Sequence, residues 1–157
     1  MSPWTPGDPL PRPEDVIPHR PPFLFVDEVT ELVPDESARG RWTPSPDLDV
    51  FKGHFPAFPV LPGVLLVESI AQLGAIAALA TEDDSEDGVI PLFGGIDKAR
   101  FRRAVRPGDV VDLEVELTQR SKRAGKGQGR ASVNGELACE TGLFFLAVRA
   151  SEMDGPA

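Results

Sequence analysis

An α+β fold, with an antiparallel sheet set against one central helix, is predicted by three observations. Residues 64–80 form the run VLLVESIAQLGAIAALA, which has the length of a globular helix and is apolar almost all round, so it is expected to be buried on most faces. Val111, Leu113, Val115 and Leu117 alternate with Asp112, Glu114, Glu116 and Thr118, the period-two pattern of a strand with one buried face. Asn134-Gly135 separates two strand-like stretches, 129–133 and 136–140, and both residues tolerate the positive φ of a two-residue hairpin turn. Strands that follow a single buried helix, without a βαβ alternation, indicate antiparallel pairing.

The elements follow in order. Eight of the 17 prolines fall in residues 1–22, so residues 1–16 read as a proline-rich, extended N-terminal extension and the fold is expected to begin near Ile17. Phe23–Val33 is rich in apolar and β-branched residues, and Ala38–Thr43 can pair back on it across the turn Pro34-Asp35-Glu36. Residues 44–61 hold four prolines and are expected to be irregular. The helix begins after Pro62-Gly63 and ends before the acidic stretch Glu82–Asp87; Gly74 and its alanines give it a slim profile for close packing. The last strand is expected to run on through Leu143–Val148. At 157 residues the chain fits one domain, residues 17–150, with a short C-terminal tail at 151–157.

Composition excludes several classes of function. No apolar run reaches the roughly 18–20 residues that span a bilayer, and residues 1–22 carry no apolar segment flanked by basic residues, so a cytoplasmic location is expected. Cys139 is the only cysteine, which rules out a disulfide or a thiolate metal cluster within the chain; it reads as a small core residue. No glycine-rich phosphate loop or metal-ligand cluster is present, and no cofactor or metal is expected. The net charge of −9 argues against nucleic acid as a partner. The charge is unevenly spread: residues 98–130 hold ten of the sixteen Lys and Arg residues and carry +6, leaving −15 elsewhere.

Two positions stand out chemically. His54 lies in Gly53-His54-Phe55-Pro56, a constrained turn that can aim a side chain. Glu68 is the only charge in the helix run 64–80, and burying it needs a compensating partner. A histidine accepts a proton at neutral pH, while a carboxyl on an apolar helix is pushed toward its protonated form. Gln72, four residues on, shares a helix face with Glu68 and can hydrogen-bond in the site. Gly63 stands at the helix N-terminus, where free backbone N–H groups can stabilise an oxyanion.

Three collinear blocks carry a family resemblance: PHRPPFLFVD at 18–27, GHFPAFPVLPGVLLVESIAQ at 53–72 and GIDKARFRRAVRPGD at 95–109. The chain resembles the 3-hydroxyacyl-acyl-carrier-protein dehydratases, which have the hotdog fold, a long helix wrapped by a curved antiparallel sheet. The resemblance implies a hydro-lyase that makes trans-2-enoyl thioesters from (3R)-hydroxyacyl thioesters in fatty acid biosynthesis. It implies His54 as base and Glu68 as acid, drawn from different subunits of a dimer, with Gly63 as the oxyanion donor. The dimer can assemble further into a trimer of dimers. The partner would be an acidic acyl carrier protein bearing a 3-hydroxyacyl-phosphopantetheine, for which Lys98, Arg100, Arg102, Arg103 and Arg106 offer a basic docking patch; the alternative is a solvated strand face. His19, in the opening block, is expected to pack structurally.

Two departures from the family pattern bear on specificity. Ala57 stands where glycine commonly follows the GHFP turn, and the chain has no tyrosine to gate the acyl tunnel, Leu92 or Phe93 standing nearby. A hotdog thioesterase and a non-catalytic acyl-thioester-binding subunit are the competing readings. A pure binder needs neither His54 nor Glu68.

Overall fold

The computed structural model describes residues 3–82 and 88–153, so most of the expected acidic stretch after the helix and the end of the tail lie outside the described residues. Six antiparallel strands, β1 (Glu28–Val33), β2 (Ser37–Trp42), β3 (Val89–Phe101), β4 (Val111–Arg120), β5 (Ala124–Val133) and β6 (Glu136–Arg149), form one sheet in the order β1-β2-β4-β5-β6-β3. Short helices α1 (Pro13–Val16), α2 (Val50–Gly53) and α4 (Ala150–Met153) are peripheral, and the long helix α3 (Gly63–Leu79) contacts all six strands. The expected α+β arrangement is therefore present.

The core lies between α3 and the concave face of the sheet. Leu66, Ile70, Leu73 and Ile76 of the helix are buried against Val111, Leu113 and Val115 of β4 and Ala131 and Val133 of β5. Each such side chain contributes about 1.5–3 kcal/mol on burial. Close approach of the helix is permitted by Gly129 on β5, where a Cβ would lie 2.3 Å from Cγ2 of Ile70. Asn134 (φ 50°) and Gly135 (φ 80°) form the predicted left-handed turn between β5 and β6.

The structure differs from expectation in three places. Phe23–Asp27 lies outside the first hairpin, which starts at Glu28, because this segment is bound side-on to α3: Ser69 Oγ donates to Phe25 O (2.6 Å) and Phe25 N donates to Gln72 Oε1 (2.7 Å). The proline-rich stretch contains α1, and Trp4 N donates to Ala80 O at the end of α3 (2.8 Å). Residues 89–101 form the 13-residue strand β3, which no alternation announces because it is exposed on both faces over most of its length. Its proline, Pro91, is tolerated on an edge strand.

The convex face carries alternating charge. Glu31, Arg39, Glu114, Arg130, Glu140 and Arg100 are successive register partners, one from each strand across the whole sheet. Opposite charges on directly facing positions favour this register, and a face so polar needs no second layer.

Candidate active site

His54 caps the C-terminus of α2, its N–H bonded to Val50 O (2.9 Å). The chain then loops back so that Val60 N donates to His54 O (2.9 Å), and His54 Nδ1 lies 2.7 Å from Val60 O. A carbonyl can only accept, so Nδ1 carries the hydrogen and the neutral ring presents an unprotonated Nε2. That is the tautomer a general base requires. Within the loop Phe55 and Phe58 exchange both backbone hydrogen bonds (3.2 and 3.0 Å), the Phe55 ring stacks on the imidazole at 4.2 Å, and Leu61 N is bonded to Val105 O (2.8 Å).

Glu68 projects from the second turn of α3, its side chain 17% exposed. Burial raises its pKa above the ordinary 4.5, opposed by a hydrogen bond from Gln72 Nε2 to Oε1 (3.1 Å). Gln72 is itself buried and spans two segments: besides Glu68 it donates to Phe23 O (3.2 Å) and accepts from Phe25 N. The opening block is thereby fastened to the helix face that bears the carboxyl. This brings His19 to Glu68, with Nε2 3.6 Å from Oε1, whereas sequence reasoning assigned His19 to packing. The signal for it was its place four and six residues ahead of the two phenylalanines that Gln72 holds.

Gly63 is the first residue of α3, preceded by Pro62, which offers no side-chain cap; Leu65 N is bonded to Pro62 O (2.9 Å), so the first-turn N–H groups that can meet an acceptor are those ahead of it, at Gly63 and Val64. A Cβ on Gly63 would sit 2.8 Å from the Phe101 ring. Glycine is needed here because the edge strand presses on the helix start.

Among the described residues no hydrogen bond or ion pair joins His54 to Glu68 of the same chain. The basic run separates into two groups. Arg102 is paired with Glu140 (2.9 Å), and Arg103 donates to Val133 O (2.9 Å) and lies 3.7 Å from Glu136, so both are engaged in the sheet. Lys98 and Arg100 are exposed on β3, and Arg106 lies 4.4 Å over the Phe58 ring, joining the third block to the histidine loop. A groove of about 660 Å³ runs along the charged convex face and is lined by neither His54 nor Glu68. Cys139 is buried, with its thiol pushed up to about 11 chiefly by burial, which removes its nucleophilicity.

No group of three or more His, Cys, Asp or Glu residues that could hold a metal occurs among the described residues. No helix among them is long and apolar enough to cross a membrane.

Comparison with known proteins gives the following. Residues 17–142 match the model of the FabA-like domain. The chain is 50% identical over 130 residues to a 3-hydroxyacyl-[acyl-carrier-protein] dehydratase, FabZ, of Chloroflexus aggregans, covering 83% of this chain and 89% of the relative. It is 46% identical over 132 residues to the enzyme of the same name from Bacillus velezensis, covering 84% and 92%. In structure it resembles a dehydratase heterocomplex from Xenorhabdus doucetiae with a TM-score of 0.73 at 19% identity, over 90% of this chain and 94% of that one. A mutant thioesterase from Pseudomonas aeruginosa aligns with a TM-score of 0.56 at 20% identity, over 77% and 81%. These last two likenesses concern the fold, which is the hotdog fold.

Proposed function

The chain belongs to the FabA-like family, and from that premise we propose that it is a hydro-lyase converting (3R)-hydroxyacyl thioesters of an acyl carrier protein to trans-2-enoyl thioesters in cytoplasmic fatty acid biosynthesis. The observation that carries the reading is the pairing of protonation states: a histidine held in the Nδ1–H tautomer and a desolvated carboxyl. Dehydration needs one group of each kind. His54 Nε2 removes the C2 proton, the C3–O bond breaks, and Glu68 supplies the proton that leaves with hydroxide as water. The thioester oxygen gains charge as C2 is deprotonated, and the N–H groups at the start of α3, beginning at Gly63, stabilise it. No metal or cofactor enters these steps.

Two copies of the chain build each site, His54 from one and Glu68 from the other. That no hydrogen bond or ion pair joins them within one chain among the described residues supports this, and so does β3, a 13-residue sheet edge with Leu92, Phe93, Ile96 and Phe101 exposed. Such an edge is a template for pairing with a second strand. Lys98, Arg100 and Arg106 are the cations left to meet an acidic carrier, since Arg102 and Arg103 are already paired.

The test combines catalysis and assembly. His54→Ala and Glu68→Gln are each expected to form enoyl product from a 3-hydroxyacyl thioester about 10²–10⁴ times more slowly than the wild type. Mixed and reassembled, they regain about a quarter of wild-type activity, because half the dimers are mixed and each of those holds one intact site. Absence of enoyl formation by the wild type overturns the reaction; absence of recovery overturns the shared site. Release of free thiol and acid without an enoyl intermediate would identify a thioesterase.

A further inference from the structure

Each dehydration leaves one proton misplaced. The C2 hydrogen moves as a proton to His54, its electron pair forms the C2=C3 bond, and the C3–O pair leaves with oxygen, which takes the Glu68 proton and departs as water. The protein is left with an imidazolium at His54 and a carboxylate at Glu68. One proton must return to Glu68 before the next turnover, and no oxidant, reductant or second reagent is required. Among the described residues two side chains of its own chain, Gln72 and His19, are bonded or paired to Glu68. Gln72 donates to it at 3.1 Å but cannot part with an amide proton, which leaves His19.

We propose that His19 is the proton-return residue of this site, taking a proton from water and passing it through Nε2 to the Glu68 carboxylate after each turnover, while the proton that His54 releases to solvent neutralises the hydroxide left behind. The inference rests on the acid role given to Glu68 above. Its geometric basis is the 3.6 Å separation of Nε2 and Oε1 and a His19 side chain that is 20% exposed, open enough to meet water yet turned to the carboxyl. Nδ1 is buried and has no partner among the described residues, so the ring gains and loses protons at Nε2, the nitrogen facing Glu68. The segment cannot swing away, because Gln72 and Ser69 hold Phe25 and Phe23 to α3.

The charged groups around the pair favour transfer in this direction. Arg20 adjoins His19 and folds back onto Ile17 O (2.9 Å) and His19 O (2.6 Å). Burial, with Arg20 adding to it, lowers the His19 pKa, while burial raises that of Glu68 against the Gln72 hydrogen bond. Under the proposed function His54 of the second copy also faces the site, as the base. An imidazolium more acidic than usual therefore stands beside a carboxylate more basic than usual.

Proton return follows the chemistry, and this gives it a kinetic signature. With enzyme in excess over a 3-hydroxyacyl thioester, His19→Ala is expected to complete its first turnover within about threefold of the wild-type rate, because the proposed cycle starts with the proton already on Glu68. Its steady-state kcat is expected to fall about tenfold or more, with added imidazole restoring it. Equal loss in both regimes with no response to imidazole would mean a structural role and overturn the proposal, as would an unchanged steady state. If His19→Ala does not fold, His19→Gln keeps a polar side chain that carries no proton. The same split is expected there, with kcat rising with buffer concentration, and full activity overturns the proposal. Glu68→Gln separates the two readings: full activity in that variant removes the acid role itself, whereas an inactive Glu68→Gln beside a fully active His19→Ala removes only proton return.

Discussion

Glu68 and His54 are fourteen residues apart and are held by different means. Glu68 sits on a rigid helix, surrounded by side chains, and its chemistry comes from desolvation and from Gln72 and His19. His54 sits on a backbone loop, half-buried, and its chemistry comes from one carbonyl, Val60 O, that selects its tautomer. The acid half depends on exclusion of water and the base half on the path of the main chain. A pairing of this kind suits one group to giving a proton and the other to taking one.

The contrast predicts that substitutions in the two halves separate activity from stability. The largest effects are on turnover: Glu68→Gln and His54→Ala each lose about 10²–10⁴ in kcat, measured by enoyl absorbance. Their thermal stabilities diverge. Because burial raises the folded carboxyl above its unfolded value, Glu68 contributes its stability in full below the ordinary 4.5, and that contribution is lost as pH rises through the raised value. Melting curves taken as the pH is raised should therefore find the wild type losing stability relative to Glu68→Gln, whose pH dependence is flatter, until at the upper end the variant is as stable or more so. A clear loss of stability there would mean that the carboxylate is compensated and the two halves are alike.

Gly63→Ala tests the junction of the two halves, at the start of α3, and is expected to cost about 10–10² in kcat, since its Cβ must displace the Phe101 ring from the helix start that serves the oxyanion. Adding Phe101→Ala should recover part of the rate; no recovery would mean that the ring does not set the position. On the helix half, Gln72→Leu leaves Phe25 N–H buried without its acceptor and should lower unfolding free energy by about 1–3 kcal/mol. The same change removes the bond that holds the Glu68 pKa down, so the basic limb of the pH–rate profile moves upward. The smallest effect is expected from Arg106→Ala, which removes a cation–π contact of about 0.5–1 kcal/mol over Phe58 and should raise KM more than it lowers kcat. A kcat loss as large as that of Gly63→Ala would show that the loop needs more than its own backbone bonds.

The elements readable in the chain were those whose two sides differ or whose whole length is apolar. Helix α3, β4 and the Asn134-Gly135 turn are of this kind, and the structure places them within a residue or two of expectation. Strand β3 was hidden because nothing in this chain covers its faces, so no alternation was imposed on it. The basic patch was visible as composition, but only the paired positions of Glu140 and Glu136 withdraw Arg102 and Arg103 from it. Ala57 and the absence of tyrosine remain readable as departures from the family pattern, and Leu92 and Phe93 are exposed on the edge strand β3.

The sequence by itself determined the class of fold and the family, and it singled out the two residues proposed as acid and base, because periodicity, a lone charge on an apolar helix and three ordered motifs are local properties of the chain. Only the tertiary structure decided what surrounds that charge. His19 lies 49 residues before Glu68, and its approach depends on Gln72 fastening an extended segment whose own residues show no preference for that position. The tautomer of His54 likewise depends on a carbonyl six residues away that a loop must return. Hydrogen bonds between segments distant in the chain are set by packing, and packing is a property of the whole domain.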